Sequence, residues 1–253
     1  MRHGDHFIFN EGDQNILSKI HAERSRVNHE PISLAKSEST IAYLAGKYLI
    51  FKDGDKIKKV SKDSLPIRGK HNMLNSMAAI KAARNLGIGW EGILNALKTF
   101  ENAPHRLEYS GNIKGVDFFN DSKATNVDAL WYALESFEKP ILLIMGGTDK
   151  GNDYTQIDGL VKDKVKAIIA LGLDNSKIES HFKNYGMDVS STDSIFQAVE
   201  IAYSKALENE VVLLSPACAS FDLFKNYEER GERFKEAVWA LKGKMENNLM
   251  MVI

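Results

Sequence analysis

The apolar positions change their rhythm along the chain. Over the first seventy or so residues they come in short bursts separated by turn residues. The run DHFIFN is a strand candidate, and YLIF-KDGDK-IKKV reads as a hairpin with Asp53-Gly54 in its turn. A helical period follows. Met73, Leu74, Met77, Ile80 and Ala83 form one stripe over residues 72–86, and Gly87 offers a stop. A second helical segment, 90–100, places Ile93, Leu94 and Leu97 on one face.

After Pro104 the pattern becomes strictly alternating. Four continuous apolar runs, 116–119, 141–145, 167–171 and 211–214, are separated by helical stretches at 127–137, 154–163, 175–185 and 194–207. A long amphipathic helix is expected over 223–242. Unbroken apolar strands between helices imply a parallel sheet covered on both faces. The predicted fold class is therefore α/β, with a doubly wound, mostly parallel sheet in residues 104–253 and a different α/β segment in residues 1–103. No internal repeat or low-complexity segment is present.

In such a sheet, ligands bind beyond the carboxyl ends of the strands. Three of the four runs are followed there by unusual loops. The first is Asn120-Asp121-Ser122-Lys123-Ala124-Thr125-Asn126, the second Gly146-Gly147-Thr148-Asp149-Lys150-Gly151, and the third Ser215-Pro216-Ala217-Cys218-Ala219-Ser220. The remaining run is followed by plain Gly172-Leu173-Asp174. Two lysines, several hydroxyls and free backbone donors on one rim suit a small anion, a carboxylate or a phosphate. Each loop also has a plainer reading: a helix cap at Asp121, Ser122 or Thr125, a tight turn at Gly146-Gly147, solvated lysines, and a buried, inert Cys218.

Two further stretches are ambiguous in the same way. Asn72 and Asn75 lie three apart at a helix start, as a cap and polar face or as an amide pair for a base or sugar. His105-Arg106-Leu107-Glu108 follows Pro104, as a surface ion pair or as an arginine placed on a phosphate. His3, His6, His21, His29 and His181 show no metal-ligand spacing, so no metal site is assigned.

Composition narrows the partners. With 33 basic and 34 acidic residues the net charge is −1, which argues against a polyanionic nucleic acid or an anionic membrane surface. A single Cys fits a reducing cytoplasm, and no apolar run has the length of a membrane span. A soluble, cytoplasmic, monomeric protein acting on small molecules is expected. No GxxxxGK[ST] phosphate loop occurs anywhere in the sequence.

The phrases HNMLN, HRLE, NDSKATN, GGTDKGNDY and SPACASFDLFKNYEERG occur in this order. Together they resemble the Mur ligases of peptidoglycan synthesis, and within them the D-glutamate-adding branch. HNxxN alone is shared with folylpolyglutamate synthase, so another ligase of the superfamily, or a stand-alone binding module, remains an alternative. The resemblance implies an ATP-dependent ligation through an acyl phosphate, with D-glutamate, ATP and UDP-N-acetylmuramoyl-L-alanine as small-molecule partners and Mg2+ as cofactor. It implies that residues 1–103 are the tail of a central ATP-binding domain and 104–253 an amino-acid-binding C-terminal domain. The phosphate loop, the magnesium ligands and a carbamylated lysine would then lie outside this stretch, and the fragment would be inactive alone.

By the same resemblance Lys123 and Lys150 are the catalytic candidates. Thr125, Lys150, Ser220, Phe221 and Tyr227 would bind D-glutamate, while Asn75, Arg106 and Asp121 would bind ATP. Ala103-Pro104 would be a hinge. Many relatives read GGDGK where this chain has Gly146-Gly147-Thr148-Asp149-Lys150, which leaves the role of Asp149 open.

Overall fold

The computed structural model describes residues 2–20, 27–65, 67 and 69–250. They form two compact units, residues 1–102 and 103–253.

The first unit is a five-stranded sheet in the order β1-β2-β3-β4-β5. Its strands are β1 (His6–Asn10), β2 (Asn28–Ser33), β3 (Ala42–Ala45), β4 (Tyr48–Asp53) and β5 (Lys56–Ser61). The first three run parallel, and β4 and β5 form the expected antiparallel hairpin. Helix α1 (Gln14–Ile20) follows β1, whereas α2 (Lys70–Asn85) and α3 (Trp90–Thr99) come after the sheet. The predicted stripe packs α2 onto the sheet. Met73, Met77 and Ile80 are buried against Ile32, Leu49, Phe51 and Val60, with Leu74 and Ala83 at the edge of the cluster. Burial of each such side chain stabilises by roughly 1.5–3 kcal/mol. The helix stops where Gly87 takes a φ of 83°, a conformation open to glycine. Gly69 occupies its N-cap, so neither Asn72 nor Asn75 is the cap.

The second unit holds a six-stranded sheet in the order β10-β9-β8-β11-β7-β6. Four strands match the apolar runs: β7 (Val116–Asn120), β8 (Ile141–Gly146), β9 (Val165–Leu171) and β11 (Val211–Ala217). All four are parallel, and β10 (Asp188–Thr192) extends the parallel set. Strand β6 (Glu108–Ile113) closes the other edge antiparallel to β7.

Period-two alternation divides the inner strands between two cores. Leu142, Ile144, Val212 and Leu214 face α7 (Ile195–Lys205) and α8 (Tyr227–Met250). Ile141, Leu143, Val211 and Leu213 face α4 (Val127–Glu135), α5 (Asp158–Lys164) and α6 (Ser176–Lys183). Two covered faces make the sheet doubly wound.

Three boundaries differ from expectation. Residues 154–157 form a 3-10 turn ahead of α5. Helix α4 is capped by Asn126, whose Oδ1 accepts from Ala129 N at 2.8 Å, and not by Asp121, Ser122 or Thr125. Helix α8 starts at Tyr227 and not near 223, because Leu223 and Phe224 turn back onto Ser220 O with their backbone N–H groups.

Candidate functional site

Strand β11 sits between β7 and β8, so the three loops singled out in the sequence lie side by side on one rim. The loop after β11 leads to α8 on one face, while those after β7 and β8 lead to α4 and α5 on the other. This divergence is a switch point, where a crevice opens at the strand ends.

The loop after β7 is built on buried polar groups. Asn120 is fully buried, with Nδ2 3.0 Å from His105 Nδ1 and 3.2 Å from both Glu108 Oε2 and Gly231 O. Asp121 is 5% exposed. Its carboxylate accepts from Leu107 N at 3.1 Å and from Ser215 Oγ at 2.8 Å. Burial outweighs these bonds and the nearby charge of Arg106, and pushes its pKa up to about 7. Lys123 is half-buried and holds its ammonium 5.4 Å from the centre of the Tyr227 ring. Thr125, half-buried, stands just before the cap of α4.

The loop after β8 needs both glycines. A Cβ on Gly146 would lie 2.5 Å from Leu171 O, and one on Gly147 2.2 Å from Ala219 O. That close approach lets Thr148 N donate to Ala219 O at 2.9 Å, joining the second loop to the third. Asp149 ties the loop to itself. It accepts from Gly151 N at 2.6 Å, Asn152 N at 3.0 Å, Tyr154 OH at 3.1 Å and Lys177 Nζ at 3.0 Å. These donors hold its carboxyl below the usual range despite partial burial. Asp149 is a loop brace, and Lys150 beside it is exposed.

The loop after β11 is buried until it turns outward. Ala217 takes a φ of 58°, a strained backbone for a residue with a Cβ. Cys218 is buried beside Asn152 and Tyr154, and burial pushes its thiol up, which fits an inert residue. Ser220 is buried, whereas Phe221 next to it is 69% exposed.

The turn carrying Arg106 is held from both sides. His105 and Leu107 have φ of 62° and 44°, and Lys123 N donates to His105 O at 3.0 Å. Glu108 accepts from His105 N at 2.9 Å and from Lys235 Nζ at 3.2 Å. Arg106 is exposed at the tip.

The rim thus carries Lys123, Thr125, Lys150 and Ser220 on the three loops, Phe221 just past the third, Tyr227 at the start of α8, and Arg106 and Asp121 on the β7 side. Asn75 belongs to the other unit, exposed on α2, where its Nδ2 donates to the buried Asn72 Oδ1 at 3.3 Å. One residue was missed. Arg230 of α8 is 1% exposed. It donates through Nε to Ser122 Oγ at 2.9 Å and through its terminal nitrogens to Ser122 O at 2.8 Å and Cys218 O at 3.2 Å. Burial pulls its pKa down to about 10. Among the described residues no cluster of three or more His, Cys, Asp or Glu could hold a metal ion, and His21 lies outside those residues.

A mostly parallel, doubly wound sheet covered on both faces places residues 103–253 in the α/β class whose ligands bind at the strand ends. Residues 105–218 match the family model described as Mur ligase, glutamate ligase domain, and the chain carries a Mur ligase C-terminal domain. It is 45% identical over 240 residues to the UDP-N-acetylmuramoylalanine--D-glutamate ligase of Cytophaga hutchinsonii, covering 94% of this chain and 53% of that protein. The enzyme of the same name from Bacteroides fragilis is 43% identical over 235 residues, covering 92% and 53%. The chain therefore spans about half the length of the curated relatives it matches.

Among solved structures, MurF ligase from Thermotoga maritima in complex with ADP superposes with a TM-score of 0.64 at 14% identity, over 97% of this chain and 55% of that one. MurF from Acinetobacter baumannii gives 0.64 at 17% identity, over 91% and 52%. These likenesses show the shared fold. Among the described residues no helix is long and apolar enough to cross a membrane.

Proposed function

We propose that the rim of residues 103–253 holds D-glutamate as the amine acceptor of an ATP-dependent ligase that extends UDP-N-acetylmuramoyl-L-alanine in cytoplasmic peptidoglycan precursor synthesis. The observation that carries this reading is the convergence of Lys123, Lys150, Thr125 and Ser220 on one switch-point rim, in a chain whose curated relatives bear that enzyme's name. Residues 1–102 are then the end of the central ATP-binding domain, and 103–253 the acceptor domain.

The chemistry sets the demands. Transfer of the γ-phosphoryl group of ATP to the substrate carboxylate gives an acyl phosphate and ADP. The amine attacks the acyl carbon, a tetrahedral intermediate collapses, and phosphate leaves as the amide forms. The amine acceptor carries two carboxylates. Exposed Lys150, on a loop braced by Asp149, pairs with one of them. Thr125 and Ser220 supply hydroxyls, and Phe221 and Tyr227 wall the pocket. Lys123, oriented by the Tyr227 ring, offsets negative charge as phosphate develops. Arg106 at the tip of its turn and Asp121 beneath it take the nucleotide side. No described carboxylate or histidine cluster fits Mg2+, so the ion is given no ligand in this chain.

The test is kinetic, in a full-length ligase containing this chain. Lys150→Ala raises the KM for D-glutamate by tenfold or more, roughly the loss of a charge-assisted contact. Lys98→Ala, on helix α3, leaves it unchanged. Equal effects of the two substitutions refute the assignment, and turnover with another acceptor amino acid but not D-glutamate refutes the substrate.

A further inference from the structure

Arg230 carries a buried charge with no hydrogen-bonded counter-ion, and the Asp222 carboxylate acts on it only through space. All of its hydrogen bonds go to neutral oxygens, those of Ser122 and Cys218, and among the described residues no carboxylate bonds to its guanidinium. Removing an ion from water without a partner is costly. A brace between two loops alone is available to a neutral side chain. What the guanidinium adds is its position, because it lies under all three rim loops at once. Ser122 is in the first loop, three residues before Thr125, and Cys218 is in the third, two residues before Ser220. In the second loop, a Cβ on Gly147 would lie 3.3 Å from Arg230 Nη1, so that loop packs directly on the guanidinium edge. The next residue of α8 fixes the location. A Cβ on Gly231 would lie 2.2 Å from His105 Nδ1, which presses the helix against the turn that presents Arg106.

We propose that Arg230 is the positioning residue of the rim: its guanidinium sets the spacing of the three loops and places a fixed positive charge, hydrogen-bonded only to neutral oxygens, beneath the seat of the acidic amino acid. The proposal rests on the reading of the rim as an acid-binding site. Arg230 does not touch the ligand, since its donors are turned to Ser122 and Cys218. Its action is through loop geometry and through field. Lysine at this position keeps the charge on a single nitrogen and lacks the planar fork that holds its acceptors at a fixed spacing. Methionine keeps bulk and loses both.

The experiment is a D-glutamate titration of the 253-residue chain followed by backbone amide shifts, with thermal melts run in parallel. Arg230→Lys and Arg230→Met are expected to bind at least about tenfold more weakly, as for other supports of a preorganised site. The Thr125 and Ser220 amides, which follow one binding curve in the wild type, then separate. Affinity falls with added salt more steeply in the wild type and Arg230→Lys than in Arg230→Met, which a purely structural role does not produce. If neither variant folds, Ser122→Ala decides. It removes the hydroxyl that accepts from Nε and donates to Tyr227 O at 2.7 Å, leaves the guanidinium in place, and unchanged affinity in it overturns the proposal. Folded Arg230 variants that bind within about twofold of wild type, while Lys150→Ala binds weakly, overturn the Arg230 proposal alone. A wild-type chain that shows no D-glutamate binding overturns the reading of the rim, and this proposal with it.

Discussion

Asp121→Asn is expected to make the second unit more stable at neutral pH and the ligase less active. The carboxyl sits 5% exposed between the Leu107 N–H and the Ser215 hydroxyl, and burial raises it from 3.8 to about 7. A raised carboxyl pKa means that the folded state holds the proton more tightly than the unfolded chain. As pH climbs from 3.8 toward about 7 the unfolded state ionises first, so this group's contribution to stability declines across that window and is flat above it. At about 1.4 kcal/mol per unit, the full decline is of order 4 kcal/mol. Asparagine is neutral throughout. Its Oδ1 still accepts from Leu107, and its Nδ2 donates to Ser215 with the hydroxyl turned. The stability of the variant minus that of the wild type should therefore rise between about pH 4 and 7 and level off, while nucleotide affinity in the full ligase falls. Urea unfolding at a series of pH values, followed by Trp131 and Trp239 with Trp90 replaced by Phe in both proteins, isolates the second unit. A difference that stays level from pH 4 to 8, within about 0.5 kcal/mol, refutes the argument.

Two other substitutions probe the loops. Asp149→Ala removes the acceptor for two backbone N–H groups, Tyr154 and Lys177. It should raise the D-glutamate KM several-fold while the melting temperature, read by circular dichroism, changes little. Gly147→Ala forces a Cβ to within 2.2 Å of Ala219 O, and is expected to lower the stability of the unit by about 2–4 kcal/mol in denaturant titration.

The sequence reveals those parts of the fold whose burial is two-sided. Strands β8, β9 and β11 are covered on both faces and read as unbroken apolar runs. Strand β10 is at an edge, and DVSST shows no apolar period. Strand β2 reads as irregular because Pro31 lies within it, although its neighbours pair on both sides. The insertion of β11 between β7 and β8 is a long-range fact that no local period encodes. The rim was legible because strand ends and loop chemistry coincide. Arg230 was not, since it lies in the charged stretch Glu228-Glu229-Arg230, which has the look of a solvated helix start. The three rim loops packed over it make it buried. Its one local signal is Gly231, a helix-weakening residue where the turn at His105 must approach.

The place where an acidic amino acid binds this chain is the most direct test of the rim. In a titration of the 253-residue protein with D-glutamate, the backbone amide shifts should move at Thr125, Lys150, Ser220 and Phe221 along one binding curve, and the response should vanish in Lys150→Ala. Saturable shifts confined to another surface, or an undiminished response in Lys150→Ala, contradict it.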